Sequence, residues 1–290
     1  MTLTRTFSTR ELAQIWNVSE STIKRWADSG DLCCYRTPGG HRKFQLENIS
    51  DFQHRRHFEA TGLLATESWE EPEVEDSLNR KSFDKVRELI FYLAIQNQRK
   101  RVKDVLERLY LRGMGIVELY DEILIPVAGR TLSDFESGGI TLGQERLLRN
   151  NLDGAVSLLF PQLIRRPHTG RTGLCAAPDD FCSISVNAVS RILETEGWEC
   201  LNLGCRIPFQ AMAEMVEREP VNLVCVVGTS SDVPVSEQFY DLTRAAEAYR
   251  IPVVLTGPGF SSPQAGTTFQ GQEYLPDFRS LRSYLSHLTD

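Results

Sequence analysis

From Ser8 to Phe44 the apolar and polar positions predict two short helices and a hairpin. Leu12, Ile15 and Trp16 recur at i, i+3 and i+4, one apolar stripe on a first helix. Ser8 caps that helix, and Glu11 completes a Ser-x-x-Glu capping box. Asn17-Val18-Ser19 makes a turn, with Ser19 as a second N-cap. On the next helix Ile23 and Trp26 face inward, so Ser21, Thr22, Lys24 and Arg25 fall largely outward, and Gly30 stops it. A hairpin follows: Cys33 to Arg36 outward, Gly39-Gly40 turning, Arg42 to Phe44 returning. Alternation along its first strand puts one of Cys33 and Cys34 inside and the other outside. A helix from about Leu46 to His57 closes this first domain, residues 1–58.

Beyond it the pattern changes twice. Residues 59–78 lose hydrophobic periodicity and carry Glu67, Glu70, Glu71, Glu73, Glu75 and Asp76, which predicts a self-repelling acidic linker. Residues 79–165 return to helical spacing, in Phe83/Val86/Leu89/Ile90/Leu93, Val102/Val105/Leu106/Leu109, Ile116/Leu119/Tyr120/Ile123/Leu124 and Leu147/Leu148/Leu152/Val156/Leu159. Breaks at Gly113-Met114-Gly115 and Ser137-Gly138-Gly139 make this a four-helix bundle. Within residues 166–290, short apolar strands (174–177, 198–203, 223–227, 253–255) alternate with helices (184–196, 209–218, 235–249). That alternation predicts a doubly wound, flavodoxin-like α/β domain, whose ligand crevice lies at the carboxyl ends of its strands. The fold class is therefore multidomain, α followed by α/β.

Charge sharpens the division. The net charge of −7 does not suit a partner of nucleic acid until it is split: residues 1–58 hold nine Lys/Arg against six Asp/Glu. The positive charge thus sits on the first domain, and the acidic remainder should stay off a polyanion. No run of eighteen apolar residues exists and the N-terminus does not read as a signal peptide, so a cytoplasmic chain with no membrane contact is expected. Seven cysteines show neither a CxxC pair nor a Cys/His metal spacing, so no metal site is expected. Cys175, Cys200 and Cys225 fall in predicted strands and read as core.

One helix and one basic loop on the same side of a small domain is the geometry for reading duplex DNA. Ser21, Thr22, Lys24 and Arg25 on the helix, and Arg36, Gly40, His41, Arg42 and Lys43 on the wing, are the candidate contacts to bases and phosphates. Residues 6 to about 58 resemble the MerR/excisionase-type winged helix, down to Thr37-Pro38-Gly39-Gly40-His41-Arg42.

The order winged helix, four-helix bundle, flavodoxin-like domain resembles the light-responsive, cobalamin-dependent repressors of the CarH/LitR family. The stretch from Ile192 to Gly204 looks like that family's first helix and second strand of the cobalamin domain. The resemblance implies an adenosylcobalamin held between bundle and α/β domain, an oligomer that light disassembles, and release of DNA. At the cofactor positions this sequence departs from the family. The Asp-x-His-x-x-Gly loop falls on Asp180, Cys182 and Ser185, so the cobalt-ligating His becomes a cysteine. The Ser-x-Leu of the tail slot falls on Val227-Gly228-Thr229, and the Gly-Gly on Thr256-Gly257. The bundle's Trp, nine residues, Glu-His falls on Phe135 and Glu145-Arg146. A thiolate changes the charge and chemistry of the ligand, extra Cβ atoms narrow a slot built for backbone, and Arg146 is a permanent cation. The expectation is a sequence-specific regulator, a repressor by resemblance, that pairs DNA half-sites as a dimer or tetramer and has lost cobalamin. The alternatives are a working photoreceptor with altered ligands, and a protein-binding antirepressor or scaffold. A corrinoid methyl-transfer subunit is disfavoured by the winged helix and the missing His.

Three local questions stay open at this level. Cys182 and Cys205, in loops at the same sheet edge, form either an oxidant-sensing pair or two unconnected thiols. Arg146 with Arg130 and the Gly257-Pro258-Gly259 loop either hold an anion or serve internal ion pairs. His168 and His287 read as surface residues. No Ser/His/Asp or paired-carboxylate constellation appears, so no enzymatic activity is expected.

Overall fold

The computed structural model describes residues 6–16, 18–56, 82–163, 166–178, 183–229, 237–261, 269 and 271–289. The acidic stretch 59–78 lies outside the described residues. Two compact units emerge: residues 1–115 with 122–164, and residues 116–121 with 165–290.

The first unit starts with β1 (Thr6–Ser8), α1 (Thr9–Ile15) and α2 (Glu20–Asp28), then β2 (Tyr35–Arg36), β3 (Arg42–Gln45) and α3 (Leu46–Arg56). Both expected N-caps form. Ser8 accepts from the Glu11 amide while Glu11 accepts from the Ser8 amide, and Ser19 accepts from the Thr22 amide. Leu12, Trp16, Ile23, Leu32, Phe44 and Phe52 make the core. Trp16 stacks on Phe52 at 5.1 Å between ring centroids, and Trp26 closes the cluster 4.9 Å from Phe52. Pairs of this kind add about 0.5–1.5 kcal/mol each beyond their buried area. The sheet is antiparallel in the order β1-β3-β2, with Phe7 opposite Phe44 and Arg36 opposite Arg42. Strand β1 is not expected from sequence; three residues are too few for a period. The outgoing wing strand is shorter than expected, so Cys33 (exposed) and Cys34 (half-buried) precede it rather than alternating within it.

The bundle follows in α4 (Asp84–Ile95), α5 (Arg99–Leu111), α7 (Ile125–Glu136) and α8 (Leu142–Leu159), while α6 (Ile116–Glu118), between α5 and α7 in the chain, groups with the second unit. A π-helical turn, Leu119–Leu124, joins α6 to α7 immediately before Pro126, whose missing N–H suits a helix start. The predicted apolar spacing is realised in Val86, Ile90, Leu93, Val102, Leu106, Leu109, Leu148, Leu152 and Leu159, all buried. The winged helix is tied to the bundle by Gln53, whose buried amide donates to the Leu111 carbonyl at 3.0 Å. That carbonyl belongs to the last turn of α5, where no intrahelical donor remains.

The second unit alternates β4 (Thr172–Ala177), α9 (Ser183–Thr195), β5 (Glu199–Cys205), α10 (Phe209–Arg218), β6 (Leu223–Val227), α11 (Glu237–Tyr249), β7 (Val253–Thr256), β8 (Glu273–Leu275) and α12 (Phe278–Thr289). Every pairing is parallel, in the order β5-β4-β6-β7-β8. This is the flavodoxin-like strand order, with the topological switch between β4 and β6. One face packs Leu174, Val224, Val226 and Leu255 against Phe209, Phe239, Phe260 and Phe269, the aromatic rings meeting edge to face. Alternation sends Cys175, Cys225, Val227, Val254 and Thr256 to the other face. Strand β8 and helix α12 are not expected from sequence. Among the described residues no helix is long and apolar enough to cross a membrane.

Candidate nucleic-acid interface and ligand edge

The Ser19 hydroxyl organises the start of α2. Besides capping the helix it lies 2.7 Å from the Ser21 hydroxyl and 2.9 Å from that of Thr22. Ser21 is exposed and Thr22 half-buried, so the short polar residues expected at bases are partly engaged with each other. Lys24 and Arg25 are exposed on the next turn, Lys24 lying 3.7 Å from Glu20. An exposed pair of this spacing costs little to break when a phosphate competes.

The wing turns where its residues dictate. Gly40, at φ +79°, donates to the Thr37 carbonyl at 2.8 Å, and Thr37 donates to the His41 carbonyl at 2.9 Å. The left-handed backbone at Gly40 explains glycine there. The exposed His41 ring stands at the tip and Lys43, half-buried, opposite Tyr35. Arg36 and Arg42 both turn to one carboxylate, Asp28, in the last turn of α2. Arg42 ion-pairs with it and is only 15 % exposed, while Arg36 sits 3.6 Å away and stays 59 % exposed. Arg42 is thus drawn back as a strut between wing and helix, and Arg36, Lys24 and Arg25 remain the outward cations. Asp28 has a function that the sequence reading misses. The available signal was an acid at the end of a basic helix facing a basic hairpin. Behind the turn, Arg55 donates to the Asp31 carbonyl at 2.8 Å, and Arg56 pairs with the Asp31 carboxylate at 2.7 Å.

In the bundle, Glu145 is 2 % exposed and neutralised from two sides: Arg149 ion-pairs with it one turn on, and Arg146 lies 3.3 Å away. Arg130 pairs with Asp134 at 3.5 Å and covers the Phe91 ring at 4.3 Å. Both arginines therefore serve internal ion pairs. Phe135 is half-buried near the end of α7.

In the α/β unit, Asp180 and Cys182, and with Cys182 its pairing with Cys205, lie outside the described residues. Ser185 is buried in the first turn of α9. Val227 and Thr256 are register partners at the carboxyl ends of β6 and β7, both fully buried. The Thr256 hydroxyl has no hydrogen-bond partner among the described residues. Beyond them the two loops are sewn together. Gly228 donates to the Thr256 carbonyl and Gly259 to the Gly228 carbonyl, each at 2.9 Å. A Cβ on Gly257, at φ +97°, would stand 2.3 Å from the Gly228 oxygen. Thr229 is half-buried beside this seam. His168 and His287 are exposed, as expected, His168 bonding Glu199 at 3.1 Å.

Comparison with known proteins fits this division. A model of the helix-turn-helix domain matches residues 6–57. The chain is 25% identical to the HTH-type transcriptional repressor CarH of Myxococcus xanthus, over 93% of its own length and 96% of the relative. Its fold resembles the Methanosarcina barkeri monomethylamine corrinoid protein, at a TM-score of 0.54 and 14% identity, over 72% of this chain and 99% of that one. The domain match and the full-length relative support a DNA-binding transcriptional regulator built on the CarH plan.

Proposed function

We propose that this CarH-like chain is a sequence-specific repressor that binds promoter DNA as a homo-oligomer, a dimer or tetramer, and no longer uses cobalamin. The observation that carries the DNA-binding reading is the pairing of an exposed Lys24/Arg25 helix face with a glycine-turned basic wing held to it through Asp28. One such module buries limited surface, so paired half-sites are needed for affinity and spacing discrimination. No catalytic role is assigned to any residue; regulation rests on binding alone.

The loss of cobalamin rests on residues that do not fit the group as the family holds it. Cys182 replaces a neutral imidazole with a thiol. Val227 and Thr256 fill buried positions at the strand ends, and the backbone hydrogen bonds of Gly228 with Thr256 and Gly259 stand where a cofactor tail needs a slot. Arg146 and Arg149 are committed to Glu145. One observation favours a second reading, in which some ligand still binds this edge: the buried Thr256 hydroxyl is left unsatisfied, and such groups usually have a partner.

Two measurements test the proposal. Selection of a random duplex pool should enrich one motif, with half-sites about one helical turn apart, whose affinity falls steeply with salt. Failure to enrich any motif overturns DNA recognition and favours a protein-binding scaffold. Incubation with adenosylcobalamin in the dark, followed by desalting, should leave the protein colourless. A retained corrinoid spectrum that bleaches DNA binding on illumination restores the photoreceptor reading.

A further inference from the structure

Three cysteines meet on the face of the sheet toward α9, one from each of three adjacent strands. Cys175 of β4 and Cys225 of β6 are register partners and fully buried. Cys200, on the edge strand β5, is only partly buried, which corrects the expectation that it is core. Its sulfur lies 3.5 Å from that of Cys175. We propose that Cys200 and Cys175 form an oxidant-reactive pair, in which Cys200 attacks a hydroperoxide and Cys175 resolves the product as a disulfide.

The two thiols have unequal surroundings, and the inequality assigns the roles. The two sulfurs share a hydrogen bond in which either can donate; with the proton on Cys175 it holds Cys200 below the ordinary thiol range and pushes Cys175 well above it. Burial and the Glu194 carboxylate oppose the effect at Cys200, while the Ser190 hydroxyl and the Arg191 cation on α9 add to it. Burial raises Cys175 further, and raises Cys225 too. The thiolate is the nucleophile, so the partly exposed Cys200 is the attacking group and the buried Cys175 the protonated partner at hand. Cys225 stays a thiol on this account.

The chemistry balances. The Cys200 thiolate attacks the outer oxygen of ROOH, the O–O bond breaks, and with one proton the products are Cys200 sulfenic acid and ROH. The Cys175 sulfur then attacks the sulfenic sulfur, the S–O bond breaks, and the Cys175 proton leaves with the hydroxyl as water. Two electrons pass from the pair to the peroxide. The sulfurs need approach by only about 1.5 Å to bond, and the edge position of β5 leaves that strand freer to shift than β4, which is flanked on both sides.

The test uses the full-length protein, one equivalent of cumene hydroperoxide, acid quench, blocking with N-ethylmaleimide and tryptic mass mapping. Cleavage after Arg171, Arg191 and Arg206 places Cys175 and Cys182 on one peptide and Cys200 and Cys205 on the next. A Cys175–Cys200 disulfide and a Cys182–Cys205 disulfide therefore give the same linked mass, and variants separate them. The proposal expects the linked peptide to vanish in C200S and in C175A and to persist in C182S and C205S. In C175A, dimedone should label Cys200, because the sulfenic acid has lost its resolving thiol; circular dichroism confirms that this variant is folded. Loss of the link in C182S, its persistence in C175A, or oxidation confined to the exposed Cys33 overturns the assignment.

Discussion

The winged helix and the carboxyl edge of the α/β sheet treat charge and polarity in opposite ways. On the winged helix a packed aromatic core pushes Lys24, Arg25, Arg36 and His41 outward, and one acid, Asp28, serves to aim the wing. At the sheet edge the polar groups turn inward or against each other: Thr256 is buried, and the glycine loops bond across to one another. A surface that meets a polyanion keeps its cations solvated until the partner arrives. A pocket that meets a large cofactor keeps backbone donors unspent, and here they are spent. The difference separates a region poised to bind from one whose backbone donors are already engaged.

The largest expected effect breaks the first half of the comparison. Replacing Arg25 by Glu puts a negative charge on the exposed face of α2 and should cost at least one good contact, about 1–3 kcal/mol, with repulsion added. Affinity for the selected duplex should fall by about tenfold to a few hundredfold in a gel shift, with the thermal midpoint unchanged. An unchanged affinity would remove α2 from the interface.

A smaller effect sharpens the account of the wing. Asp28→Asn releases Arg42 and Arg36 from their shared carboxylate. Non-specific binding should strengthen and its salt dependence steepen, by a log–log slope of about 0.9 for each arginine that reaches a phosphate. Discrimination between the selected motif and random duplex should narrow, because the wing loses its strut. A flatter salt slope in Asp28→Asn would mean that the arginines stay withdrawn for another reason.

The regular part of this molecule was legible because its periods are long. The spacing of Val102, Val105, Leu106 and Leu109 fixes a helix face, and Leu223 to Val227 is an apolar run flanked by turn residues; both form as read. Strands β1 and β8 and the π turn at Leu119–Leu124 were not legible. The first two are three residues long, and the third keeps a helical apolar pattern while changing its hydrogen bonds. At the candidate interface the residue types were readable, whereas their partners were not. Arg42 and Arg36 look alike in a row of basic residues, and only a carboxylate fourteen positions from Arg42 distinguishes strut from contact. The Cys175–Cys200 approach was hidden for a related reason: strand register, which places 200 diagonally across from 175, is a tertiary property.

The smallest expected effect bears on the second half of the comparison. Val and Thr share a shape, so Thr256→Val removes one hydroxyl from a buried position without opening a cavity. A buried hydroxyl left without a partner costs about 1–3 kcal/mol, and replacing it by a methyl recovers part of that. If the sheet edge is closed, the variant should be more stable by about 1 kcal/mol, a rise of about 2–4 °C in the thermal midpoint for a unit of this size. If the hydroxyl instead serves a molecule that stays bound through purification, the protein should lose stability on the same change. The sign of one small shift in melting temperature therefore decides whether this edge is filled by the chain itself or by something it holds.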